Sequence, residues 1–342
     1  MVTISKFSYQ NPRYLNLLMR RGSIPQEVET TVRDVLKNVK EKGDEALYSY
    51  MKKFDGVDIR EIGLLVSDIY ILTKTRMDGT IDEHLLYVAD YLNVKNYYKL
   101  SGSQGLAAVA YGTETIKKVD AITGPGNNFT QMAKKLLFGE VKIDSIAGPS
   151  EIAIIADEQA NPTFIAADMM SQAEHGTGFE ASTTFCLSET QAQQIKKEIN
   201  RLCEENDLIE KTRTTFENYG DIFIVDSIQE AVEAVNEIAP EHVELLLADY
   251  ETVLPKLTNA GAVFVGEYST EPVGDYFCGT NHILPTCGTA KFSSGMSVGE
   301  FMRGYSVIKY AEPALKSNAD YIIQLAESEG MKAHALAVKV RR

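Results

Sequence analysis

Residues 168 to 176 read Asp-Met-Met-Ser-Gln-Ala-Glu-His-Gly and set several coordinating side chains close together. They follow an apolar run from Pro162 with helical character, so Gln172 and His175, three apart, share a face with Asp168 one turn earlier. Gly176 is a natural helix stop, which leaves Gln172 and His175 on the last turn, where a metal ion or polar ligand could reach them. The same residues also suit a plainer pairing, with His175 a helix-ending cation against the dipole and Gln172 a solvated amide.

The chain has five histidines: His84, His175, His242, His282 and His334. Glu241 and His242 follow Ala239-Pro240 at the end of a helical stretch, and in a loop both could face one cavity and serve two proton transfers; a solvated turn is the alternative. Asp275 and His282 lie in a segment dense in Gly, Pro, Thr and Asn that reads as an ordered loop, the kind of segment that carries function on a rigid scaffold. An Asx-turn at Asp275 and a satisfied imidazole at 282 would explain them equally. His84, in Asp-Glu-His-Leu-Leu, reads as an exposed helical residue, and Glu329 and His334 flank Gly330, which a simple helix would not align. Gly124-Pro125-Gly126-Asn127 stands between a short strand and a helix and could place backbone N–H groups around a pyrophosphate, although it is not the GxGxxG fingerprint. Ala147-Gly148-Pro149-Ser150-Glu151 makes a second such turn into a strand.

The elements that must position these residues alternate. Residues 25 to 54 read as a helical pair broken at Gly43, residues 68 to 72 as a strand, Asp78-Gly79 as a turn, 81 to 92 as a helix and 97 to 100 as a strand. Beyond Gly124 come a helix (129 to 138), a strand (151 to 156), the helix carrying Gln172, a strand (183 to 187), a helix (189 to 205), a strand (221 to 225), a helix from Ile228 and a strand (262 to 265). Such alternation predicts a doubly wound α/β fold with a parallel sheet and sites at the carboxyl ends of its strands. The last segment, from Ser297, has helices through 313 to 329 and around His334 but no strands, which suits a tail that packs elsewhere.

At 342 residues the length suggests about two domains. A balance of 34 Lys+Arg against 48 Asp+Glu, a formal net charge of -14, argues against a nucleic-acid or anionic-membrane partner, because neither would find a basic footprint. The first residues lack a secretory signal, and no apolar run approaches the ~18 residues of a membrane span. A cytoplasmic location is expected. Cys186, Cys203, Cys278 and Cys287 show no CxxC spacing and read as reduced thiols.

Gly-Pro-Gly-Asn, Ala-Gly-Pro-Ser-Glu, Ser-Gln-Ala-Glu-His, Ala-Pro-Glu-His and Gly-Asp-Tyr to Asn-His-Ile-Leu-Pro-Thr occur here in one order between residues 124 and 286, and the likeness they carry extends from about residue 101 to the C-terminus. In this the chain resembles the histidinol dehydrogenase family, zinc enzymes that oxidise L-histidinol to L-histidine through the aldehyde with two NAD. The resemblance implies two incomplete Rossmann-like domains with a helical C-terminal tail: a zinc and substrate domain from 1–56 and 151–296, an NAD-binding domain from 57–150, and a dimerisation tail from 297–342. It implies one zinc per subunit on Gln172, His175, Asp275 and His334, the last supplied by the partner of a homodimer. Glu241 and His242 match the catalytic pair, with His242 taking the alcohol proton and Glu241 activating water. Ser150, Glu329 and His282 match substrate contacts alongside the zinc ligands and His242, while Gln104 and Asn127 match cofactor contacts.

One departure stands out. From Phe54-Asp55-Gly56 the match passes almost directly to the strand at 68, so a block of roughly a hundred residues is absent, including a Tyr-Val-Pro-Gly-Gly segment that opens the family's cofactor domain. The sequence therefore also admits a relative that oxidises another small alcohol, or a shortened paralogue, not an oxidoreductase, that binds zinc and an imidazole compound. Retention of Glu241 and His242 favours the enzyme.

Overall fold

The computed structural model describes residues 1–20, 24–50, 52–53, 69–76, 78–146, 148–302 and 304–342. Along the chain run β1 (Thr3–Lys6), α1 (Pro12–Met19), α2 (Gln26–Tyr50), β2 (Tyr70–Leu72), α3 (Glu83–Tyr91), β3 (Asn96–Tyr98), α4 (Gly102–Tyr111), β4 (Ala121–Ile122), α5 (Asn128–Leu137) and β5 (Lys142–Ile143). Then follow β6 (Glu151–Ala156), α6 (Pro162–Ala173), β7 (Ala181–Cys186), α7 (Glu189–Glu205), α8 (Ile209–Tyr219), β8 (Gly220–Ile224), α9 (Ile228–Ile238), β9 (His242–Leu246), α10 (Tyr250–Val253), β10 (Ala262–Val265) and α11 (Glu271–Tyr276). Helices α12 (Glu312–Ser328) and α13 (Lys332–Lys339) belong to a second compact unit, Phe301–Arg342, distinct from the unit Met1–Glu300.

Six strands form one parallel sheet in the order β1-β8-β7-β6-β9-β10. Glu-Ile-Ala-Ile-Ile-Ala of β6 is buried at every position, as a central strand covered on both faces must be. Its side chains alternate: Ile152, Ile154 and Ala156 share a core with α6, α7 and Phe216 of α8, while Ala153 and Ile155 share one with Tyr14 of α1 and Val232 and Val235 of α9. The sheet is thus wound on both faces. From β6 the chain steps outward through β7 and β8, then returns to the other side of β6 for β9 and β10, so strand order reverses between β6 and β9.

Residues 24–143 build a separate core from Val32, Leu36 and Leu47 of α2, Tyr98 of β3, Leu106 and Val109 of α4, and Met132 and Leu137 of α5. Helix α2 therefore shares its apolar face with 98–143, although the sequence division grouped 1–56 with 151–296. Strands β2–β3 and β4–β5 form two-stranded parallel sheets of their own.

Several expectations are corrected. Gly43 interrupts α2 with φ 51, as the helical pair required, and β6, α7 and β10 have the predicted bounds. His242, read as part of a loop, opens strand β9, and the supposed loop at 274–282 begins on α11, which carries Asp275. Helices α1, α4 and α8 and strand β1 were not anticipated. Helix α6 stops at Ala173, so His175 lies in the turn before Gly176 (φ 68) and not on the helix. Asp68, in the predicted strand, the Phe54-Asp55-Gly56 motif and Ala147 lie outside the described residues.

Candidate active site

Strands β6 and β9 are adjacent, with Ile152 level with His242 and Ala262 of β10 level with His242 on its other side. Residues leading into these strands, Ser150-Glu151 and Glu241-His242, consequently meet at the amino ends of the sheet. Helix α6 leaves the carboxyl end of β6 and returns along the sheet, which delivers its last turn to the same amino ends. The candidate residues gather there, and not at the carboxyl ends that a doubly wound fold had led us to expect.

His242 is buried, with its Nδ1 3.1 Å from Gln172 Oε1 and its ring edge-on to Phe264 at 5.8 Å. An amide oxygen only accepts, so Nδ1 carries the hydrogen and donates, which leaves the lone pair on Nε2. That Nε2 is buried without a partner, and so is Gln172 Nε2. Leaving such an atom unsatisfied costs about 1–3 kcal/mol, a cost folds rarely retain outside functional sites.

Glu241 is fixed by a reciprocal exchange across the strands: its N–H donates to Glu151 Oε2 and Glu151 N–H donates to Glu241 Oε2, both at 3.2 Å. Glu151 Oε2 also accepts from Cys287 N–H at 3.0 Å, and Glu151 Oε1 is paired with the buried Arg20 guanidinium. The Ser150 side chain stands close enough to the Glu241 carboxyl to favour its charged form. Burial, and then the charge of Glu151, push Glu241 up to about 8, while burial pulls His242 down to about 4. At neutral pH the pair is thus a protonated acid beside a neutral imidazole, with Glu241 Oε2 3.8 Å from His242 Nδ1.

Asp275 lies on α11 with Oδ1 2.9 Å from His282 Nδ1. Ligating atoms of His242, Glu271 and Asp275 all fall within 4.8 Å of one another. Gln172, Asp275, His242, Glu241, Ser150 and His282 are therefore brought together. His175 is exposed just beyond α6, near enough that its charge, like that of His282, bears on His242. Glu329, the C-cap of α12, and His334, on α13, are exposed residues of the second unit. Glu271 was missed: no motif or spacing marks it in the sequence, and only its burial beside Glu244 and Asp275 does.

Gln104 is buried in α4, and Asn127 caps α5, its Oδ1 accepting from Phe129 N–H at 3.1 Å and Thr130 N–H at 3.2 Å. Gly124 N–H donates to Asp144 Oδ2 at 2.9 Å and Lys134 Nζ to the Gly124 carbonyl at 2.7 Å, so the glycine turn is braced from within. Zinc can be judged against the donors around the His242 ring: the Gln172 amide oxygen, the Asp275 carboxylate and the nearby His175 imidazole gather about it. This nitrogen and oxygen set fits a zinc ion.

A model of the histidinol dehydrogenase family matches residues 62–342. The chain belongs to the histidinol dehydrogenase family. A histidinol dehydrogenase of Geobacillus kaustophilus is 48% identical over 276 residues, 81% of this chain but 65% of that relative. One from Clostridium acetobutylicum is 36% identical over 415 aligned positions, covering 96% of this chain and 95% of the relative, so a block of the relative has no counterpart here. The crystal structure of histidinol dehydrogenase from Elizabethkingia anophelis superposes with a TM-score of 0.87 at 29% identity, covering 100% of this chain and 97% of that one. Alignment with the first relatives thus spans just under two thirds of their length. Among the described residues of this histidinol dehydrogenase family member, no helix is long and apolar enough to cross a membrane.

Proposed function

We propose that the chain is a cytoplasmic, zinc- and NAD-dependent histidinol dehydrogenase that oxidises L-histidinol to L-histidine by way of the aldehyde. The observation that carries this reading is the His242 ring, held by Gln172 with its Nε2 lone pair buried and unpartnered beside Glu241 and Asp275. A group so placed can take the alcohol proton, and being neutral at pH 7 it is ready to do so.

Gln172, His175 and Asp275 would hold zinc, with His334 of a second copy completing the set. Zinc, when bound, supplies a fixed point for the substrate's imidazole and amine, and NAD, contacted by Gln104 and Asn127, supplies the hydride acceptor. Ser150, His282 and Glu329 orient the substrate. In the second oxidation Glu241, in the ionised form that becomes dominant as pH passes about 8, takes a proton from water as it adds to the aldehyde, and the buried setting keeps the aldehyde from escaping. The second unit supports the homodimer through its exposed apolar side chains, among them Tyr305, Ile308, Tyr321, Leu325 and Leu336.

The missing block favours a second reading, a zinc-binding relative that recognises an imidazole compound without oxidising it. One experiment separates them: NADH formation from L-histidinol and NAD by zinc-loaded protein, with zinc content measured on the same sample. Two NADH per histidinol establish the enzyme. Zinc present with no NADH at any NAD concentration rejects it.

A further inference from the structure

Three side chains of the site come from three elements: Gln172 from α6, His242 from β9 and Asp275 from α11. Each has a buried acid next to it on the same face of its own element. Asp168 is one turn before Gln172, Glu244 two residues after His242, and Glu271 one turn before Asp275. These three acids meet. Glu271 N–H donates to Glu244 Oε1 at 3.0 Å, the Thr270 hydroxyl donates to Asp168 Oδ1, and the Ser171 hydroxyl donates to Glu271 Oε2 at 3.4 Å. Asp168 and Glu244 stand close enough for each to bear on the other's titration, as do Glu271 and Asp275, and Glu244 Oε2 is buried without a hydrogen-bond partner.

Apolar residues of similar size would fill this space at less cost, since buried polar groups rarely add net stability over well-packed hydrophobic ones. What such groups add is one fixed geometry. We propose that Asp168 and Glu244 are positioning residues: they dock the first turn of α11 against α6 and β9, and so set the mutual placement of Gln172, His242 and Asp275. This rests on the zinc-enzyme reading for its consequence, although the placement itself does not require metal.

Glu244→Gln keeps an oxygen for the Glu271 N–H and gains a donor for Asp168, so it preserves the contacts; Glu244→Leu abolishes both. Thr270→Val removes only the hydroxyl on Asp168 and serves if the leucine variant does not fold. Zinc affinity would be measured by competition with a chromophoric chelator, alongside the NMR titration of the His242 ring in metal-free protein. Partners that orient metal ligands are commonly worth roughly tenfold to a hundredfold in affinity. Glu244→Leu should weaken zinc by that order and move the His242 resonances, Thr270→Val should do so more mildly, and Glu244→Gln should restore both to near wild type. Wild-type affinity and ring signals in Glu244→Leu and Thr270→Val would overturn the proposal, as would a glutamine variant as defective as the leucine one. Should wild-type protein bind no zinc, the zinc-enzyme reading fails by itself, and the ring signals still decide the positioning role.

Discussion

A carboxyl held at about 8 and an imidazole held at about 4, on neighbouring residues, oppose each other in how they link stability to pH. The raised Glu241 contributes stability that is full below its ordinary 4.5 and is lost as pH climbs through about 8. The lowered His242 contributes stability that is present above 6.5 and is lost as pH falls through about 4. Above 6.5 only the carboxyl acts. Metal-free protein should therefore lose stability from pH 6.5 to 8, by up to about 1.4 kcal/mol per pH unit for each such carboxyl, and Glu271, also raised to about 8, adds to the slope. Denaturant unfolding across that range checks this, and Glu241→Gln should remove about one proton's worth of slope. In zinc-loaded enzyme the same variant should slow the aldehyde step about 10²–10⁴-fold with zinc content unchanged; loss of zinc would assign Glu241 to the metal. Arg20 supports this pair from behind, so Arg20→Met, which strands the buried Glu151 charge, should cost about 3–5 kcal/mol in urea unfolding. At this scale the sequence was informative, because chemistry depends on residue types that are rare and recognisable. Arg20 and Glu271 were not legible, since their importance comes only from burial and from partners far away in the chain.

Elements were legible where one interaction dominated. The unbroken apolar run of β6 and the capped, periodic α7 declared themselves, whereas β9 did not: His-Val-Glu-Leu-Leu carries two ionisable residues in a strand buried at every position. Only tertiary contacts to Gln172 and to α11 make those residues tolerable inside. The direction of the site was misread for a related reason, since the carboxyl-end rule describes where helix starts gather, and here the groups arrive on a helix end and on residues before strands. Gly261 illustrates how tightly that amino-end rim is built. A Cβ there would lie 2.5 Å from the Glu241 carbonyl oxygen, too close to tolerate without moving the Glu241 backbone. Gly261→Ala should lower kcat more than tenfold, since a displacement of about 1 Å in a catalytic group can cost 10²-fold, while leaving zinc content near normal. A variant with wild-type kcat would show that the rim can yield.

The whole molecule poses the question of how many chains make one site. Glu329 and His334 reside in the unit 301–342, whose own core is small, Ala319, Ile323 and Ala335, and whose surface is rich in exposed apolar side chains. If His334 acts on a partner's site, His334→Ala and His242→Ala are each inactive alone, but mixing and reassociating them should recover activity, because each hybrid dimer contains one complete site. No recovery, with hybrids confirmed by native mass spectrometry, would place His334 within its own subunit. The C-terminal helices were legible in sequence while their destination was not, because exposed apolar residues say that something covers them and not what. With the candidate residues at the amino ends, the other ends of the strands are left to loops and helix starts. The opposite rim, made by the segments that leave β6, β7, β8 and β9 at residues 157–161, 187–188, 225–227 and 247–249, lies at the other ends of the strands from the candidate site. That rim is the place to graft a tag, a reporter or a new chain terminus, provided the helix-capping side chains of Asn161, Ser188 and Ser227 are kept.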